Sequence, residues 1–305
     1  MAINRSSVEQ FSKFNLFAKE VVQGFLTGLH KSPFHGFSVE FAEHRVYNPG
    51  EPTRNIDWKL YGKTDKFYTK KYEGETNLKC HVLLDTSDSM RFPSCENTSP
   101  EQLNKLGFGI YSAAALLTLI QKQRDAFSLH LIEEKIKFSS PCKNTGLHLA
   151  YLLTELENEL KQNELQKRTT RLQNHLHHLS SIIPPRTLVI LISDFLSDQD
   201  YTSALLQLKH QNHEVLALRI FDSKLEGGFD WEQEAIQLID NETGESIKLH
   251  PRNFKASYQE AYAQRAKILE HNLRSLGIDL VNCDIHKGYE PVLKSYLSKR
   301  KRSRY

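Results

Sequence analysis

The chain has 305 residues, 39% of them hydrophobic and 25% charged, with a formal net charge of +3. That length holds one large α/β domain with an added module, or two modest domains, and that composition excludes a disordered chain. So small a net charge gives no bulk electrostatic reason to bind nucleic acid, and no apolar run reaches the roughly 18–20 residues that cross a bilayer.

Apolar residues at helical spacing (Phe11, Phe14, Phe17, Ala18, Val21, Val22, Phe25, Leu29) predict an amphipathic helix from about Val8 to Leu29, ended by Gly28, Pro33 and Gly36. Residues 37–58 read as loop-rich, and 67–75, rich in Tyr, Thr and Phe, as a strand. Cys80-His-Val-Leu-Leu84 is almost continuously apolar, the pattern of a parallel strand buried on both faces. A helix is expected over about 101–122, with Ser99 as cap and Pro100 in its first turn. A strand over 126–132 follows, with 135–138 as a hairpin partner. Helices are then expected over 145–160, opened by Asn144 or Thr145, and over 164–179. Leu188–Ile192 is the strongest strand, followed by a helix over 200–210 and a strand over 215–220. Residues 221–251 interrupt the alternation with a β-hairpin, 235–239 and 246–249, around Asn241-Glu-Thr-Gly244. A helix over 255–276 closed by Gly277, a strand over 278–283 and a helix over 290–298 complete the chain.

This alternation predicts an α/β fold, a Rossmann-like, mostly parallel sheet with helices on both faces. Residues 1–77 would form an N-terminal helix plus β extension. Residues 78–290 would form the sheet domain with a hairpin insertion near 221–251, and 291–305 a helix end and basic tail. The four cysteines, Cys80, Cys95, Cys142 and Cys283, form no C-x-x-C pair. That spacing argues against a metal ribbon or redox motif and fits a reducing compartment. With no secretory pattern at Met1–Ser7, the expected location is cytoplasmic, with a peripheral contact at the inner membrane left open.

The chemistry concentrates at Asp85-Thr-Ser87-Asp88-Ser89, directly after the apolar run. Open α/β sheets place ligands in the loops after parallel strands. One carboxylate followed by hydroxyls at alternate positions is a hard-oxygen set of the kind magnesium or calcium takes. Thr145, at a helix start, and Asp194, after the strongest strand, extend it. A competing reading takes Ser87 and Ser89 as turn and cap residues and Asp85 and Asp194 as strand-end caps. Asp88 reads as a solvated acid. His175-Leu-His177-His178 reads as a solvated helix face, since no Cys or acid nearby completes a zinc set. The basic tail, Lys299 to Arg304, reads as a solvated terminus. No Gly-rich phosphate loop and no nucleophile elbow are present.

The five positions resemble the metal-ion-dependent adhesion site of von Willebrand factor A domains. That resemblance implies Ser87, Ser89 and Thr145 as hydroxyl ligands of Mg2+ (or Mn2+ or Ca2+). Asp85 and Asp194 would act through waters, and a partner's carboxylate would complete the shell. Gly36-Phe-Ser-Val-Glu-Phe41, Glu43-His-Arg45-Val-Tyr47-Asn-Pro-Gly50-Glu51 and Arg54-Asn-Ile-Asp57-Trp58-Lys59 resemble the signature of domain-of-unknown-function family fifty-eight. These are bacterial and archaeal von Willebrand A-like proteins associated with MoxR-type AAA+ ATPases. Glu51 stands where that signature usually has Asp. Arg45, Arg54 and Asp57 beside Tyr47 and Trp58 read as a paired scaffold rather than a ligand site.

The resemblance implies a non-catalytic, chaperone-like interaction module. It would grip an acidic side chain through a divalent metal, with a MoxR-type ATPase and membrane-anchored von Willebrand A proteins as partners, in protein assembly or maturation. The alternative is a metal-dependent phosphohydrolase or nuclease using Asp85, Asp88 and Asp194.

Overall fold

The computed structural model describes residues 5–30, 43–47, 58–71, 78–94, 103–162, 172–196, 201–231, 233–240 and 244–302. In chain order its elements are α1 (Arg5–His30), β1 (Glu43–Val46), α2 (Trp58–Thr64), β2 (Tyr68–Lys71), β3 (Lys79–Asp85), α3 (Lys105–Lys122), β4 (Ala126–Ile132), β5 (Ile136–Ser139), α4 (Gly146–Lys161), α5 (Leu172–Ile182), β6 (Leu188–Ser193), α6 (Thr202–His210), β7 (Glu214–Phe221), β8 (Ile236–Ile239), β9 (Ser246–Leu249), α7 (Pro251–Ser275), β10 (Asp279–Asp284) and α8 (Glu290–Arg302). They divide into two units, Met1–Phe25 with Leu78–Tyr305, and Leu26–Asn77.

The larger unit is the α/β fold expected. A six-stranded sheet runs β10-β7-β6-β3-β4-β5, with only β5 antiparallel to its neighbour. β3 lies between β4 and β6 with both faces covered, which is why its sequence lacks a polar alternation. On one face Leu83, Val189, Leu191 and Val215 pack with Leu176 and Leu179 of α5, Leu205 and Leu208 of α6, and Leu273 of α7. Successive strand residues point oppositely, so Leu84 meets the other layer. There a Cβ added at Gly109 of α3 would stand 3.0 Å from a Leu84 methyl, so glycine permits the close approach of helix to sheet. α3 carries no charge between Lys105 and Lys122 and is buried around its circumference from Lys105 to Ile120.

The amphipathic α1 finds its cover here. Phe14, Ala18 and Val22 are buried, and the Phe14 and Phe17 rings lie 5.0 and 4.7 Å from that of Tyr111. Residues 1–25 therefore group with the sheet, not with an extension ending at residue 77. α3 begins at Lys105, later than expected, because Asn104 is its cap: the Asn104 side chain accepts the Gly107 N–H at 2.7 Å. Ser99 and Pro100 lie outside the described residues. Gly277, at φ +67, closes α7 in the left-handed conformation glycine favours.

The C-terminal basic run is only partly a solvated tail. α8 continues to Arg302; Lys301 and Arg302 are exposed, but Lys299 and Arg300 are buried, and Arg304 lies outside the described residues. Lys299 pairs with Glu214 and Asp279 at 2.7 and 2.9 Å. Arg300 pairs with buried Asp125, which also accepts the Tyr296 hydroxyl at 2.9 Å.

In the smaller unit β1 and β2 pair antiparallel, Glu43 opposite Lys71 and Val46 opposite Tyr68. Tyr61 and Phe67 stack at 4.5 Å, while Trp58 meets both edge-on and Tyr47 lies 6.2 Å from Phe67. Tyr47 and Trp58 thus belong to one aromatic cluster. Arg45 sits in β1 opposite Thr69. Gly50, Arg54 and Asp57 lie outside the described residues.

Candidate functional site

The carboxyl rim of the sheet is a row of aspartates. β3 ends at Asp85 and β10 at Asp284, while Asp194 and Asp222 directly follow β6 and β7. The register Leu84 to Ile192 sets Asp85 beside Ser193. Asp85 accepts the Ser193 hydroxyl at 2.7 Å on one oxygen and the Ser87 N–H at 3.0 Å on the other. Asp194 accepts the Leu196 N–H at 3.1 Å. Between them Phe195 holds φ +54, a left-handed conformation costly for a bulky residue. Asp222 accepts the Lys224 and Leu225 N–H groups at 2.8 and 2.9 Å.

After Asp85 the chain makes a 3-10 turn, Asp88–Arg91, that brings the Ser87 and Ser89 hydroxyl oxygens to 3.0 Å. Adjacent ligands of an octahedral magnesium, each at about 2.0–2.1 Å, stand about 2.8–3.0 Å apart. The two hydroxyls therefore fit one edge of such a shell. Ser87 is closed to solvent, and Ser89, partly exposed, forms the outer side of the pair.

The rest of the expected set is arranged differently. Asp194 shares its carboxylate with an internal cation, since Lys105 Nζ donates to it at 2.7 Å and to Glu226 at 2.5 Å. Lys105 is entirely buried. Burial alone would push its ammonium down, but the Asp194 and Glu226 carboxylates hold its pKa above the ordinary value. The Phe92 ring, 5.8 Å from Nζ, covers the same charge.

Thr145 is not at this rim. The Lys143 N–H donates to Phe127 O at 3.0 Å and the Phe127 N–H to Lys143 O at 3.1 Å. Phe127 faces Cys80, five residues before Asp85 along β3. At roughly 3.3 Å per residue Asp85 lies about 16 Å further on. The Thr145 hydroxyl instead caps α4, accepting the His148 N–H at 3.2 Å. Thr145 is thereby removed from the ligand set. The cause is β5, which runs antiparallel and returns the chain to the opposite edge before α4 begins.

Asp88, expected in solvent, is fully buried and pairs with Arg91 at 3.2 Å. Arg91 also reaches Glu159 at 3.3 Å and the Gln162 carbonyl, tying the end of α4 to the loop. A hydrolase using Asp85, Asp88 and Asp194 would find two of its three carboxylates already paired with buried cations. The histidine run is a solvated face only in part: His178 is exposed, but His175 is buried with Nε2 3.0 Å from Glu133 O, and half-buried His177 contacts Gln207. Among the described residues no cluster of three or more His, Cys, Asp or Glu is placed to hold a metal.

Sequence reasoning missed Lys105 and Glu226, and gave Ser193, beside Asp194, no role. Lys105 did carry a signal, because a charge opening a helix that has no other until its last residue must either reach the rim or be paired inside. Ser193 and Glu226 carried none, because their partners lie 108 and 121 residues away.

A family model described as "Protein of unknown function DUF58" matches residues 43–268. Uncharacterized proteins of Mycobacterium bovis and Mycobacterium tuberculosis are 23% identical over 211 residues, covering 68% of this chain and 63% of theirs. The chain thus spans less than two thirds of the curated relatives it matches. Among solved structures, the conserved hypothetical protein BatB from Bacteroides thetaiotaomicron is 12% identical at a TM-score of 0.45, covering 74% of this chain and 98% of that one. An aerotolerance-related membrane protein from Bacteroides fragilis is 13% identical at 0.46, covering 74% and 99%. Among the described residues no helix is long and apolar enough to cross a membrane.

Proposed function

The chain belongs to the DUF58 family, and from that footing we propose that it is a non-catalytic interaction module whose binding edge is the carboxyl rim of the sheet. Ser87 and Ser89 would hold a divalent cation directly, magnesium or else manganese or calcium. Asp85 would neutralise it through water, and a partner's carboxylate would supply a further ligand. With neutral hydroxyls as the protein's direct ligands, the ion keeps charge enough to attract that carboxylate. The observation that carries the reading is the 3.0 Å spacing of the two hydroxyls beside a strand-end carboxylate. The family resemblance adds the partner, a MoxR-type AAA+ ATPase engaged in protein assembly or maturation.

The reading is tested by capture of such an ATPase on immobilised protein, with magnesium and with chelator. Asp85→Ala and Ser87→Ala should each abolish the magnesium-dependent fraction. Capture indifferent to chelator and to both substitutions would remove the metal bridge.

One observation favours a second reading. The Lys105 ammonium already supplies a positive charge between Asp194 and Glu226. In that case the rim holds no ion and binds its partner through a surface fixed by this internal cation. Capture would then survive chelation but fail in Lys105→Met.

A further inference from the structure

Beside the rim, the hairpin β8–β9 borders a groove of about 570 Å³. Four aromatic rings line it: Phe92 from the loop that follows Ser89, Phe229 and Trp231 from the segment after β7, and Tyr258 from α7. Phe229 and Tyr258 lie 4.4 Å apart and Phe92 and Trp231 6.3 Å. Leu238 and Ile247 of the hairpin continue the apolar wall. Every formally charged side chain lining the groove, among the described residues, is a carboxylate: Glu226, Asp240 and Glu245. Among the described residues no lysine, arginine or histidine lines it.

Glu226 is buried and paired with Lys105, so it belongs to the floor. Asp240 and Glu245 are exposed, at the facing ends of the two hairpin strands. A purely apolar guest would leave these carboxylates beside it without any gain, and an acidic guest would be repelled. A guest with an apolar stem and a cationic head satisfies both parts. Its stem lies against the rings, and its charge meets ring faces and carboxylates together. The floor already shows this chemistry, with the Lys105 ammonium held between Glu226 and the Phe92 ring.

We propose that this groove is a second binding site, distinct from the rim hydroxyls, and that it takes an arginine or lysine side chain of a partner protein. It does not depend on a rim cation.

Trp231 supplies the probe, because the chain has only two tryptophans. In a Trp58→Phe background, in chelator, its fluorescence would be titrated with the capped peptide acetyl-Ala-Leu-Arg-Ala-amide. The norleucine and glutamate versions of that peptide would serve as comparisons. The arginine peptide should give a saturable change, with the other two at least about tenfold weaker. Asp240→Asn with Glu245→Gln, both at exposed positions, should weaken the arginine peptide roughly tenfold while leaving the norleucine peptide and the far-UV circular dichroism unchanged. Equal binding of the arginine and norleucine peptides would reduce the groove to an apolar contact and overturn the proposal. So would the absence of any saturable response up to about 10 mM, where binding energy falls below roughly 3 kcal/mol.

Discussion

Lys105 shows how one side chain alters the chemistry available at a rim. A buried ammonium shared by two carboxylates is stable only as a set, because removing one member leaves uncompensated charge inside. Lys105→Met should therefore cost about 3–5 kcal/mol in urea unfolding, and adding Asp194→Asn with Glu226→Gln should recover much of it. Recovery by the triple variant would show that unpaired charge, and not lost packing, was the cost. Thr145 supplies the opposite case. Its expected role came from its place at a helix start, and the structure confines it to that local role. Thr145→Ala should cost about 1 kcal/mol of stability, the usual worth of an N-cap, and leave cation-dependent capture of partners unchanged. A loss of capture in this variant, with the fold intact, would contradict the assignment of Thr145 to the opposite edge.

At the scale of elements, period and composition carried most of the information. The apolar runs of β3 and β6 and the uncharged, mostly apolar interior of α3 are properties of local sequence, so their positions could be read to within a few residues. The Asp85–Ser89 loop was legible for the same reason, since its position follows from one strand. What a run of sequence does not state is which edge of the sheet an element starts from. The hairpin partner expected after β4 held that information for α4, because an antiparallel strand returns the chain to the amino edge. The basic run of α8 was read as a tail because charge density alone does not show a partner such as Asp125, 175 residues earlier. Arg300→Met should leave buried Asp125 with the Tyr296 hydroxyl but without its guanidinium. The expected loss is about 3–5 kcal/mol by chemical denaturation. A change within about 0.5 kcal/mol, typical of surface positions, would return this run to the solvent.

At the scale of the whole molecule, the sheet encloses a polar network in one of its faces. Ser128 Oγ lies 2.7 Å from His81 Nδ1 and 3.1 Å from His130 Nε2, and His130 Nδ1 lies 2.9 Å from Ser139 Oγ. Burial pushes both imidazoles down, His81 to about 3, helped by the neighbouring His130, and His130 to about 4. In the unfolded chain the same groups take up protons near pH 6.5. The unfolded state therefore binds more protons than the folded state between those values, and stability rises with pH across that interval. The contribution is complete above about 6.5 and is lost as pH falls toward 4, with a slope of up to about 1.4 kcal/mol per pH unit for each histidine. Urea unfolding measured at successive pH values should show this slope, and His81→Gln should flatten it. A free energy constant between pH 6.5 and 4.5 would contradict the buried neutral pair.

The most direct measurement concerns the rim hydroxyls. Free manganese can be followed by electron paramagnetic resonance as it is titrated into the protein. The account predicts that one ion per chain is withdrawn from the free signal by the natural protein and by Thr145→Ala, and that this uptake disappears in the Ser87→Ala, Ser89→Ala double variant. If the natural protein and the double variant leave the same free signal throughout the titration, the two serines hold no cation and the metal bridge is wrong.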